Sequence, residues 1–258
     1  MAAVMAALFR TLEFTGVVLQ MILLWRLSRG RMWRIYGGFS LFALWLLLRS
    51  LALYAAQALM SPAEYRAIYW QTDIADLILR FLLVWEVFRH TFPRASGLHK
   101  IVSKGFSCAA FGLVIFSVGT VWSYEAYSRF HSVYPVIERS FGFAQAVMIL
   151  GLLLTARYYG VQLGRNVWGI AVAFGAWSSL STANNAMIDL RHSFLPYWQL
   201  LLPLSCVAMF AVWVWAVWAY APNPAIPTQD VPDLSPDLDR WTEDWKQANS
   251  AVRRVIHP

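Results

Sequence analysis

Seven long apolar stretches, separated by short polar connectors, make up the first 220 residues of this chain. A helix needs roughly 20 apolar residues to cross a hydrocarbon core about 30 Å thick, and each stretch has about that length. The pattern predicts membrane-spanning helices at residues 5–27, 35–59, 69–88, 105–123, 137–157, 167–189 and 197–220. We therefore expect an all-α integral membrane protein, a seven-transmembrane-helix bundle forming one domain over residues 1–220.

The composition supports a membrane protein and argues against nucleic acid as a partner. Hydrophobic residues make up 59% of the chain and charged residues only 14%, whereas soluble domains carry about 25% charged residues. The formal charge of +7 is spread over the short connectors and does not lie on one soluble surface. We expect the lipid bilayer, with its phosphate groups, to be the partner of these basic residues.

The basic residues predict the orientation. Connectors one, three and five contain ten Arg or Lys residues, against four in connectors two, four and six. Short basic loops stay in the cytoplasm. We therefore expect a multi-pass protein of the cell (inner) membrane, with the amino terminus outside and the carboxyl terminus in the cytoplasm. Tyr65, Tyr69 and Trp70 would then belong to the outer aromatic belt.

The tail, residues 221–258, forms a second region. A Pro-rich linker comes first, and Ser235 with Pro236 then provides a helix start. Apolar residues at spacings of three and four predict a short amphipathic helix over residues 235–256. This helix could lie on the membrane or bind a cytoplasmic protein partner, and the sequence leaves both open.

Charges inside a predicted span mark candidate sites, because burying them in a bilayer is costly. Asp73, Asp76 and Arg80 follow one another at spacings of three and four, so they share a face of the third span. Arg49 lies near the middle of the second span and needs an acidic partner or water. We predict that Arg80 pairs with Asp76 and that Arg49 completes the cluster through Asp73.

The sixth predicted span carries a matching polar face. Its members are Ser178, Ser181, Thr182, Asn185 and Asp189, with Asn184 beside them. Their spacings return to nearly the same angle of a helix. Hydroxyl side chains also hold membrane helices together, so helix packing and ligand binding are both open for this face.

Other spans add polar residues at a comparable depth. Glu13 and Gln20 share a face of the first span, and Gln145 lies in the fifth. Spans that enter the membrane in opposite directions thus contribute polar groups to the same outer half. We expect an outward-facing polar chamber between the third and sixth spans, with contributions from the first, second and fifth, closed below by apolar packing.

No motif in the sequence predicts catalysis, a metal site or a cofactor. The histidines lie in predicted loops or the tail, which argues against transmembrane haem and histidine zinc sites. The lysines, at positions 100, 104 and 246, leave the seventh span without a retinal Schiff base. Hydrolase and nucleotide-binding motifs are missing, so we expect no enzyme.

The third span also carries a family resemblance. The Tyr69-Trp70 opening and the segment Glu86-Val87-Phe88-Arg89-His90-Thr91-Phe92 resemble a stretch in uncharacterised seven-span bacterial membrane proteins of acidobacterial type. The resemblance extends over about 25 residues and brings no activity with it. The chain is also loosely similar to the seven-helix input modules of bacterial sensor kinases, which implies that any output passes through a separate partner.

Two functions fit these observations. The first is a receptor-like or scaffolding membrane protein that binds a small ligand in the chamber and signals through a separate partner. The alternative is a secondary carrier of a small polar solute or protons, with Asp73, Asp76 and Arg80 as its relay.

Overall fold

The chain folds into long helices that correspond to the predicted spans. A computed structural model describes residues 2–92, 103–105, 107–108, 111–112, 130–190, 195–224, 240 and 243, and this part contains no strand. Its helices are α1 (Ala2–Arg29), α2 (Gly37–Leu59), α3 (Pro62–Thr91), α4 (Phe130–Tyr158), α5 (Arg165–Leu190) and α6 (Leu195–Ala216). The predicted fourth span and the predicted tail helix lie outside the described residues, apart from a few positions.

Three of the described helices are long and apolar enough to cross a membrane. They cover Ala7–Arg29, Gly37–Leu59 and Glu138–Tyr158, while Leu200–Ala216 forms a shorter apolar helix. Large apolar side chains along these helices are exposed, including Phe14, Leu51 and Phe143. Soluble proteins seldom expose so much contiguous apolar surface, so this surface suits contact with lipid.

Helix ends depart from the predicted span limits because hydropathy marks the apolar segment and local chemistry sets the ends. α3 begins seven residues before its predicted span. The Ser61 side chain accepts from the Glu64 amide while Glu64 accepts from the Ser61 amide at 2.9 Å, and Pro62 takes the first helical position. The Ser61 amide lowers the pKa of the exposed Glu64 carboxyl.

Gly160 ends α4 at the end of the bundle opposite to Ser61. Gly160 has a φ of 66°, a left-handed conformation that glycine adopts without strain. The Gly160 amide donates to the Arg157 carbonyl at 3.2 Å and the Val161 amide to the Ala156 carbonyl at 2.8 Å. This pair of bonds is a Schellman motif, which ends the helix and turns the chain toward α5.

The six described helices form a ring of contacts. Each packs against the next along the chain, α6 packs back against α1, and α3 also contacts α5. Close packing of α5 depends on small residues, since a Cβ placed on Gly169 would lie 2.5 Å from the Ala216 Cβ. The ring brings the first half of α1, the second half of α2 and the first halves of α3 and α6 to one end.

The opposite end of the ring is filled by aromatic side chains. The buried Trp213 ring meets Phe39 at a centroid distance of 5.0 Å, Phe210 at 5.6 Å and Phe42 at 6.2 Å, all in edge-on contacts. The Trp213 indole N–H donates to the Ile170 carbonyl at 3.2 Å. This packing closes the end that the sequence predicts to be cytoplasmic.

Candidate functional site

Four charged residues form one largely buried group, here called the charged cluster: Asp73, Asp76 and Arg80, which are buried, and Arg49, which is partly exposed. Arg80 pairs with Asp76 one helical turn earlier, Arg49 Nη2 lies 2.5 Å from Asp73 Oδ1, and Arg49 Nη1 lies 3.6 Å from Asp76 Oδ2. Asp76 is fully buried, and Asp73 and Arg80 nearly so. The structure thus contains both ion pairs that the sequence predicts.

Aromatic and polar neighbours complete the surroundings of the two guanidinium groups. Arg80 lies over the Trp177 ring at 4.6 Å and Arg49 over the Tyr69 ring at 5.5 Å. Arg49 Nε also donates to the Thr72 hydroxyl at 3.4 Å. These contacts fix both arginines in a low-dielectric site, where unpaired charges would be strongly destabilising.

Glu138 adds a third carboxylate near the charged cluster. It interacts electrostatically with Asp73, Arg80, Asp76 and Arg49. The predicted site residues do not include Glu138. Its position near the start of the fifth predicted span, on the face of Gln145, was the signal that could have found it.

A cavity of about 330 Å³ lies beside the charged cluster, among α1, α2, α3 and α6. Its lining consists of Leu12, Glu13, Gly16, Val17, Gln20, Ser50, Leu53, Tyr54, Gln57, Tyr65, Tyr69, Pro203, Cys206, Val207 and Phe210. We call it the tyrosine-lined cavity. Tyr69 belongs to both regions, since Arg49 lies over its ring, and Cys206 is within electrostatic range of Asp76.

The cavity differs in location from the chamber that the sequence predicts. The expected chamber lies between the third and sixth spans with contributions from the first, second and fifth, whereas the tyrosine-lined cavity takes its walls from the first, second, third and seventh. Part of the sixth-span face packs helices instead: the Ser178 hydroxyl donates to the Gly142 carbonyl of α4 at 2.9 Å. A Cβ on Gly142 would lie 2.7 Å from the Thr182 hydroxyl, so glycine allows this approach.

The remaining predicted site residues fall into three groups. Glu13 lines the cavity, where its carboxylate accepts from the Tyr54 hydroxyl at 3.1 Å. Gln145 and Asn184 are buried between helices, and within the described residues no partner is found for either Gln145 amide atom or for Asn184 Oδ1. The side chains of Asn185 and Asp189 lie outside the described part.

Sequence reasoning missed the tyrosines and Gln57 as cavity residues. Tyr65 and Tyr69 are four residues apart on α3, and Tyr54 and Gln57 three apart on α2, so each pair shares a helix face. The sequence shows this spacing, but the prediction assigned Tyr65 and Tyr69 to the outer aromatic belt and not to a ligand site. In the described part of the chain, no group of three or more His, Cys, Asp and Glu residues is arranged to hold a metal ion.

The opposite end of the bundle binds the first residues of the tail. Asn166 Nδ2 donates to the Ala216 carbonyl at 2.6 Å, and Asn166 Oδ1 accepts from the Ala221 amide at 2.5 Å. Asn223 accepts from the Gly164 amide at 2.6 Å and donates to the His90 carbonyl at 2.6 Å. The tail therefore leaves the bundle along a path fixed by hydrogen bonds to α3 and α5.

No protein-family model, curated protein or solved structure matches the chain. These comparisons therefore assign no family and no activity.

Proposed function

We propose that this protein is a seven-span membrane receptor, with its amino terminus outside, that binds a small ligand in the tyrosine-lined cavity. The cavity itself is the observation that supports this proposal: most of its lining comes from the helix halves that the sequence predicts to be external, and Phe210 lies where it meets the closed end. Its volume and its mixture of apolar walls with a few polar groups are typical of small-molecule sites. The charged cluster behind Tyr69 holds that wall in place.

Binding and signalling fit the closed end of the bundle better than transport does. A carrier needs an inner half that opens, and here Trp213, Phe39, Phe42 and Phe210 fill it. The fixed path of residues 217–224 offers a route by which a change in helix packing would reach the tail. We assign the output to a cytoplasmic protein partner that contacts residues 235–256.

Transport of protons or a small polar solute is the second candidate, favoured by one observation. The buried Asp76 carboxylate lies between two guanidinium groups next to the cavity. Uptake into liposomes that is lost in Asp76→Asn would support a carrier. Ligand binding without uptake in the same vesicles supports a receptor.

Reporter fusions test the orientation on which the proposal depends. We expect fusions after residues 30, 96 and 161 to report the cytoplasm and fusions after residues 63, 130 and 193 to report the outside. The reversed pattern would place the cavity at the cytoplasmic face and overturn the proposal.

A further inference from the structure

We propose that the ligand of the tyrosine-lined cavity is a small protonated amine with an apolar, preferably aromatic, body and a hydrogen-bond donor at its far end. This inference depends on the proposed function and names the chemical class of the ligand. Three features of the cavity carry it: one carboxylate, a set of aromatic rings and a buried acceptor.

The carboxylate is that of Glu13, which alone among the lining residues carries a formal charge. Glu13 forms no ion pair with any residue in the described part of the chain. The Tyr54 hydroxyl donates one hydrogen bond to it at 3.1 Å, whereas a carboxylate can accept about four. Glu13 is exposed, so its remaining acceptor sites are open to a ligand, and a carboxylate favours a cationic ligand over an anionic one.

The aromatic rings are those of Tyr54, Tyr65, Tyr69 and Phe210. Tyrosine faces attract ammonium groups within about 6 Å of the ring centroid. Arg49 already lies over the Tyr69 ring. We therefore assign the ligand ammonium to Tyr54, next to Glu13, and the apolar body to Phe210 and its neighbours.

The buried acceptor is Gln20 Oε1. Gln20 lines the cavity and is only 5% exposed, and no described residue donates to Oε1. A buried acceptor left without a donor is destabilising, so a ligand that supplies one gains affinity. Gln20 follows Glu13 by two helical turns, roughly 10 Å along the axis of α1. This separation requires a second donor on the ligand, away from the ammonium group.

A matched set of probes tests the ligand class. Tyramine carries both the protonated amine and the distant hydroxyl donor on an aromatic body. Phenethylamine lacks the hydroxyl, tyrosol replaces the amine with a neutral hydroxyl, and 4-hydroxyphenylacetate replaces it with an anion. The measurement is the melting temperature of the purified full-length protein in detergent over a range of probe concentrations, which gives an apparent Kd. We expect tyramine to bind most tightly, phenethylamine more weakly, and the other two not at all.

Two variants and one control connect the result to the named residues. Glu13→Gln should weaken tyramine binding by about tenfold or more, and Gln20→Leu should remove the preference for tyramine over phenethylamine. Glu64→Gln is the matched control, because Glu64 is an exposed acid on α3 that does not line the cavity. A Gln at that position keeps the helix cap, so tyramine binding should not change.

The outcomes separate this inference from the proposed function. Stabilisation by tyrosol or 4-hydroxyphenylacetate equal to that by tyramine would overturn the amine but leave a ligand-binding cavity. An unchanged affinity of Glu13→Gln for tyramine would also overturn the amine and leave a ligand-binding cavity. The absence of stabilisation by all four probes would contradict both proposals.

Discussion

The charged cluster gives the sharpest energetic prediction. Arg80→Met removes the guanidinium that pairs with Asp76 and leaves a fully buried carboxylate with Arg49 Nη1, 3.6 Å away, as its nearest cation. Asp76→Asn leaves the guanidinium of Arg80 without its partner. The double variant removes both charges and keeps the Arg49–Asp73 pair intact.

The magnitudes follow from burial and from the partners that remain. Removing one member of a buried ion pair costs about 3–5 kcal/mol. Because Arg49 offsets part of the stranded charge, we expect Arg80→Met to lower the free energy of unfolding by about 3 kcal/mol. Asp76→Asn should cost about 2 kcal/mol, since the Trp177 ring still contacts Arg80. The double variant should cost only about 2 kcal/mol, so the coupling is about 3 kcal/mol.

The assay is reversible unfolding of the purified protein in mixed micelles, followed by tryptophan fluorescence. The same cycle on Arg89 and Glu86 serves as a comparison: the Arg89 side chain is 38% exposed, and His90 also lies 3.1 Å from the buried Glu86 carboxylate. Because solvent screens Arg89 and His90 remains as a second partner, we expect a smaller coupling for this pair than for Arg80 and Asp76. Additive losses for Arg80 and Asp76, within about 0.5 kcal/mol, would refute the argument that the two charges depend on each other.

Two further predictions concern helix packing and the start of the tail. Gly142→Ala would force a Cβ to 2.7 Å from the Thr182 hydroxyl and should lower the free energy of unfolding by about 1–3 kcal/mol. Gly151→Ala is the control, because no atom lies within 4 Å of a Cβ there, and it should be neutral or stabilising. Equal losses of stability in the two variants would contradict the close approach of α4 and α5. Asn166→Ala should speed hydrogen exchange of residues 217–224 by about tenfold or more, because it removes the Asn166 hydrogen bonds to the Ala219 carbonyl and the Ala221 amide. Unchanged exchange would show that other contacts hold the segment.

Much of the charged cluster could be predicted from the sequence because each of its charged residues has few possible partners. Asp76 and Arg80 are four residues apart, so any helix brings them together. Arg49 lies at a depth where a lone guanidinium is unfavourable, so an acidic partner was required. The spans themselves follow from hydropathy, which is independent of how the helices pack.

The position of the cavity could not be predicted in the same way. Periodicity gives the polar face of each helix but does not say which neighbour that face meets. Ser178 looked equally suited to a ligand and to a helix contact, and Gly142 on another span decided in favour of the contact. Tyr54 of α2 shares the cavity with residues of α6 because α6 packs back against α1, a long-range contact that no local pattern encodes.

The most direct test of the central claim is chemical access to the cavity from outside the cell. Ser50 lines the tyrosine-lined cavity, and its hydroxyl bonds only its own helix among the described residues, donating to the Leu46 carbonyl at 2.9 Å. Ser40, ten residues earlier on α2, lies about 15 Å away toward the closed end. Serine-to-cysteine variants at these two positions form a matched pair in a background that lacks Cys108 and Cys206.

In intact cells, a membrane-impermeant methanethiosulfonate reagent should label Ser50→Cys rapidly and leave Ser40→Cys unlabelled. Tyramine should slow the labelling of Ser50→Cys if the ligand class is also right. Labelling of Ser50→Cys only after the cytoplasmic face is exposed, or equal labelling of both variants, would contradict an outward-facing tyrosine-lined cavity closed at its inner end.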